Sequence, residues 1–295
     1  MSEMNIFLKG CLIAGVAMVA VGAAITAFDY TRTLREARQP TAAKETLQEP
    51  EQMQGGVFEI SGTLQKLDIE LSGGRLQLLQ GEEASLQIGK KLQPYMRCEQ
   101  QEDTLILRDT LNEKWWKSFH DWGDTGYMVT LVLPKEGYES VHVSLGVGEG
   151  NLQGLTADKL TVYSGAAEMC LQEISAGDLE ISSGAGEVSA YGIYTTRSAD
   201  IGCGVGEFSL AGDLRGKVFI SGGIGEMSLQ LAGAQEDYSI SANSGIGQVS
   251  VGGETVSMFT GGIKQERENA ENRLDISCGV GEIDIRFSED INKSF

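Results

Sequence analysis

Histidine is nearly missing from this chain: His120 and His142 are the only two in 295 residues. No Ser-His-Asp or Cys-His arrangement can be assembled from that supply, which removes the commonest nucleophilic chemistries. Five cysteines include no C-x-x-C pair, so neither a zinc ribbon nor a thioredoxin-like redox motif is encoded. Basic residues number 23 against 42 acidic ones, a formal charge of −19. Nucleic acid and anionic lipid are therefore excluded as main partners, and cations or basic surfaces fit better. Proline occurs four times against 39 glycines. Because those glycines are spaced rather than run together, they punctuate a folded chain. A hydrophobic content of 41% is enough for a sizeable core.

What the chain does contain is one phrase, repeated. Gly146-Val147-Gly148-Glu149, Gly184-Ala185-Gly186-Glu187, Gly204-Val205-Gly206-Glu207, Gly223-Ile224-Gly225-Glu226 and Gly279-Val280-Gly281-Glu282 are clear copies. Gly165-Ala166-Ala167-Glu168 and Gly245-Ile246-Gly247-Gln248 are worn ones. From first glycine to first glycine the steps are 19, 19, 20, 19, 22 and 34 residues, the range in which one repeat makes one turn of a solenoid. Each copy also switches phase: Ala199, Ile201, Cys203 and Val205 share one parity, Phe208 and Leu210 the other. That pattern predicts half-buried strands bent at a glycine corner, where a tight bend or close backbone approach excludes a Cβ. The expected fold is all-β, a single-turn-per-repeat β-solenoid with repeats of about 19–20 residues, preceded by one N-terminal transmembrane helix.

That helix is expected over 10–28, which carries no charge between Gly10 and Phe28 and at 1.5 Å per residue reaches about 28 Å, close to a bilayer's hydrocarbon thickness. The alternative is a signal peptide with Val21-Gly22-Ala23 as its cleavage site. Arg32, Arg35, Arg38 and Lys44 follow the segment, against Lys9 before it, so the positive-inside rule would hold the remainder in the cytoplasm. The expected division is an anchor over 1–30, a polar linker over 31–56, an N-terminal β part with an aromatic insertion over 57–140, and the repeats over 141–295. Within the last, 252–273 reads as a loop with a charged helical piece from Lys264 to Arg273.

Two constellations are candidate sites. In register, Glu149, Glu168, Glu187, Glu207, Glu226 and Glu282 would form a column of carboxylates about 4.8 Å apart. Two such charges repel by roughly 0.9 kcal/mol in water. A Ca²⁺ or Mg²⁺ ion between rungs would relieve that, oxygen-only ligands suiting hard cations, whereas splayed, solvated side chains screened by salt need no ion. The second is Trp115, Trp116, Phe119 and Trp122, which hold all the tryptophan and would share one helical face with Leu111. They form either a cap over an open solenoid end or a contact surface for a partner, a carbohydrate or the bilayer interface. Cys203 and Cys278 occupy the same repeat position, three copies apart, and at about 14 Å are too distant for a disulfide.

The glycine phrases are not phosphate loops, because each leads into a strand and places a carboxylate where an anion would sit. A solenoid carbohydrate-active enzyme would need acidic and basic groups in one groove. Between Gly146 and Gly253 the bases are only Lys159, Arg197, Arg215 and Lys217, so no catalytic residue is assigned and a non-enzymatic role is expected.

The runs Leu67-Asp68-Ile69-Glu70-Leu71-Ser72-Gly73-Gly74, Val129-Thr130-Leu131-Val132-Leu133-Pro134 and Ser140-Val141-His142-Val143-Ser144, with the Gly-x-Gly-Glu copies, resemble the bacterial putative-adhesin or toastrack family over about Val57 to Phe287. The resemblance implies a domain tethered outside the membrane, in conflict with the positive-inside rule, and it brings no catalytic residues. The resulting expectation is a membrane-anchored cell-envelope module for binding, sensing or adhesion. A self-assembling homo-oligomeric scaffold is the alternative, since open solenoid ends can stack.

Overall fold

Alternating apolar residues at period two dominate the computed structural model, which describes residues 57–58, 60, 62–111, 125–267 and 270–288. All of them belong to the unit Met53–Phe295. The strands are β1 (Val57–Phe58), β2 (Lys66–Gly81), β3 (Ser85–Ile88), β4 (Met96–Gln101), β5 (Thr104–Asp109), β6 (Met128–Pro134), β7 (Gly137–Gln153), β8 (Thr156–Gln172), β9 (Ser175–Leu214), β10 (Lys217–Ala232), β11 (Tyr238–Val251), β12 (Glu254–Gln265) and β13 (Asn272–Ser288). They form one sheet in the order β1-β3-β6-β2-β7-β8-β9-β10-β13-β11-β12, with β5 paired to β2 and β4 to β5.

The repeats stack in parallel, as their period predicts. Rung lies on rung in register, for example Ile201 beside Ile220 and Ile220 beside Ile276. The predicted phase switch is real: on β10, Val218 and Ile220 are buried before the corner, and Met227, Leu229 and Leu231 after it. Burying each such side chain contributes roughly 1.5–3 kcal/mol, and no single rung could do so alone.

The corners bend without breaking the strand, and Gly206 shows why glycine is needed. Its φ is +144°, and a Cβ built on it would lie 1.8 Å from the carbonyl oxygen of Gly186 on the rung below. Gly225 in turn sits on Gly206, and Gly281 on Gly225, with the same clearance problem at 1.7 Å.

Four expectations are corrected. The sheet is mixed rather than a uniform single-turn-per-repeat solenoid: β11 pairs antiparallel with β12, β5 with β4, and β6 with β3. Two of these pairs, β4–β5 and β11–β12, are hairpins with two residues between the strands, the short connection that antiparallel neighbours allow. Nor do the rungs follow chain order, because β13 is inserted between β10 and β11.

Residues 252–265 of the expected loop and helical piece are instead the turn and second strand of the hairpin β11–β12. Gly252 and Gly253 both have positive φ, +58° and +90°, which is what a type I′ turn demands.

Because of the insertion, Cys203 and Cys278 both flank Gly222 and are two rungs apart, not three. Both thiols are buried and free.

The structure does not support the expected transmembrane helix. Among the described residues no helix is long and apolar enough to cross a membrane, and the helical segments there are three-residue 3-10 turns such as Gln93–Tyr95 and Gln235–Asp237. The segment 10–28 that carried the expectation, the signal-peptide alternative and the linker 31–56 lie outside the described residues. The described residues therefore give no support to membrane anchoring, to the bilayer as partner or to a single-pass cell-envelope placement.

Candidate functional site: a glutamate ladder beside an apolar row

Each corner presents its glutamate to the same side of consecutive rungs. Arg75 pairs with Glu149, and Glu149 with Glu168. Pairing on either side of the next corner, Ala166 with Ala185 and Met169 with Val188, sets Glu187 beside Glu168. Gly206 packed on Gly186 carries the line to Glu207, which pairs with Glu226 and then Glu282 and Gln248. The ladder is therefore continuous across six glutamates. It begins at a cation and ends at a neutral amide.

Arg75 neutralises the first member, its Nε and Nη2 each donating to Glu149 Oε2 at 2.7 Å. Glu187 accepts from Ser189 Oγ at 3.0 Å. Glu168, Glu187, Glu207, Glu226 and Glu282 are solvent-exposed. An open groove of about 460 Å³ lies along the first three rungs of the ladder, lined by Arg75, Glu149, Glu168, Glu187, Met169 and Tyr191 among others.

The residue between the two glycines behaves unexpectedly. Parity within the preceding strand predicts that Val205 and Val280 point inward with Cys203 and Cys278, yet Val280 is 42% exposed and Ile246 52%. The bend begins at the first glycine, so the next side chain already faces outward. Val205, Ile224, Val280 and Ile246 register on successive rungs as an apolar row, two residues from the glutamates.

The aromatic set Trp115, Trp116, Phe119 and Trp122 lies outside the described residues. No three ladder glutamates gather their oxygens around one point. Among the described residues the one grouping of three metal-type ligands is Asp68, Glu70 and His142, whose ligand atoms all lie within 4.8 Å of one another. The sequence offered no motif for it, since β2 and β7 are far apart in the chain. Stacking supplies it: Asp68 is the register partner of His142, and Glu70 stands two residues along on the same outward face. Arg108 on β5 reaches into this group, with Nη2 2.8 Å from Asp68 Oδ2 and 3.6 Å from Glu70 Oε1.

Burial pushes the Cys98 thiol up to about 12, and raises Cys203 and Cys278, so these are not activated nucleophiles. On the opposite charge balance, Arg197 bridges Asp178 and Asp158 at 2.8 and 2.7 Å, and its hydrogen bond holds the Asp178 carboxyl below its ordinary value.

The fold is a repeat-built β-stack that carries a line of exposed glutamates along its corners. The chain belongs to the Toastrack DUF4097 family, whose model matches residues 64–292, in keeping with the resemblance carried by the repeats. A crystal structure from Bacteroides fragilis, named as a putative adhesin, is similar at 15% identity and a TM-score of 0.42, over 78% of this chain and 94% of that one. Another, from Clostridium sporogenes and named as a putative cell adhesion protein, is similar at 16% identity and a TM-score of 0.34, over 76% and 91%. No curated protein matches the chain.

Proposed function

We propose that the chain is a non-enzymatic, adhesin-like binding module whose contact face is the glutamate ladder with its adjoining apolar row. The observation that carries this reading is the register of Glu207, Glu226 and Glu282 alongside Val205, Ile224 and Val280 on the same three rungs. Like charges at rung spacing repel by about 0.9 kcal/mol per pair in water. Arg75 relieves that for Glu149 at the start of the ladder, whereas Glu226 stands in register between Glu207 and Glu282. A face that keeps its charge and exposes valine and isoleucine beside it fits a partner offering basic and apolar side chains together.

The test is fluorescence anisotropy with a labelled basic amphipathic peptide at two salt concentrations. Affinity is expected to fall as salt rises, and to drop in the triple variant Glu207→Gln, Glu226→Gln, Glu282→Gln. Equal binding by the triple variant would remove the ladder from the interface. Loss of binding in Ile246→Ser with Val280→Ser, at unchanged unfolding midpoint, would place the apolar row in the same contact.

A further inference from the structure

The first rungs carry a second feature, on the outward face of β2 and β7 before the corner. Asp68, Glu70 and His142 bring two carboxylate oxygens and one imidazole nitrogen within 4.8 Å of one another. All three are half-buried rather than splayed into water. Asp68 uses Oδ2 for Arg108, while its Oδ1 is buried and has no hydrogen-bond partner. An orphaned carboxylate oxygen is costly to bury, and it points to a ligand that would complete it.

The imidazole is also positioned. His142 stacks edge-on against Tyr163 of the next rung, ring centroids 5.5 Å apart, and the Tyr163 hydroxyl donates to Glu180. That ring contact limits the orientations open to the imidazole.

We infer that Asp68, Glu70 and His142 form a binding site for a divalent transition-metal ion of the zinc class. A nitrogen ligand disfavours Ca²⁺ and Mg²⁺, which take oxygen, and two carboxylates with one imidazole suit Zn²⁺ or Co²⁺. Bonds of about 2.0–2.2 Å place tetrahedral ligands roughly 3.4 Å apart, so a spread of up to 4.8 Å has to contract as the ion binds. Three ligands leave the outward coordination position for water or for a group on a partner.

Arg108 defines the competing state. Its guanidinium lies 2.8 Å from Asp68 and 3.6 Å from Glu70, where it neutralises the carboxylates when no ion is bound. Half of that side chain is solvent-exposed, so it can swing outward as the cation enters. Arginine and metal therefore share one pair of carboxylates.

This competition makes the inference testable on the untagged full chain. Zn²⁺ affinity is read by competition with a chromophoric chelator, and Co²⁺ loading by visible absorption, which reports tetrahedral nitrogen and oxygen ligation. One ion per chain is expected. His142→Ala and, separately, Asp68→Asn should each weaken binding by about tenfold or more. Arg108→Gln should tighten it, a result that no merely structural role of the arginine would produce. Glu207→Gln, in the ladder, should leave it unchanged, which separates this site from the proposed contact face. Metal-free unfolding midpoints control for folding. The inference is overturned if the wild type binds no ion, or if folded His142→Ala and Asp68→Asn chains bind as the wild type does.

Discussion

Replacing Gly206 by alanine tests most directly why the corners are built from glycine. Two penalties are expected. A φ of +144° is open to glycine and strained for any other residue, at about 1–3 kcal/mol. The new Cβ would also begin 1.8 Å from the Gly186 carbonyl oxygen, against backbone that cannot step aside without disturbing the ladder on both sides. Overpacking of that kind costs about 1–3 kcal/mol more. The sum, about 2–6 kcal/mol, is a large part of an ordinary domain's stability. Gly253→Ala isolates the first penalty: its φ is +90°, but nothing lies within 4 Å of the added carbon. The two variants, unfolded in urea with free energies and m-values compared, should differ by the packing contribution. If Gly206→Ala is no less stable than Gly253→Ala, close stacking of the corners is not what demands glycine, and the repeat phrase has some other cause.

Two further outcomes follow from the titrating groups. Arg197 lowers the Asp178 pKa in the folded chain, so the pair's stabilisation is complete above the unfolded carboxyl value near 3.8 and is lost as pH falls through the lower, folded value. Asp178→Asn should therefore lower the unfolding midpoint at neutral pH, with the difference from wild type vanishing in acid; a constant difference at every pH would contradict the assignment. In native alkylation at pH 8 followed by peptide mass mapping, Cys98, with its pKa raised to about 12, and buried Cys203 and Cys278 should resist iodoacetamide until the chain is unfolded. Rapid native labelling of Cys278 would mean that the β10–β13 rungs open readily.

Much of the candidate contact face is legible in the sequence because it rests on local rules. A glutamate that follows Gly-x-Gly in every clear copy must recur on the same side of every rung once the rungs stack, so the column needs only the period. Parity alone misplaces the exposed row: the bend starts at the first glycine, turning Val280 and Ile246 outward one residue earlier than strict alternation allows. The hairpin at 252–253 has a signal, two glycines between alternating runs, that outweighs the charged stretch after it.

Repeat length, strand phase, glycine corners and the glutamate spacing were determined by the sequence alone, since each depends on neighbours within a few residues. Strand order was not. The copies are so alike at their corners that Gly281 fits on Gly225 as well as Gly206 fits on Gly186, and no local preference chooses among such partners. Only the assembled stack decided it, placing β13 between β10 and β11 and bringing the two buried cysteines to either side of Gly222. The same is true of Asp68, Glu70 and His142. They lie on strands with ordinary alternating patterns, and only the pairing of β2 with β7 sets them on one face within reach of a single ion.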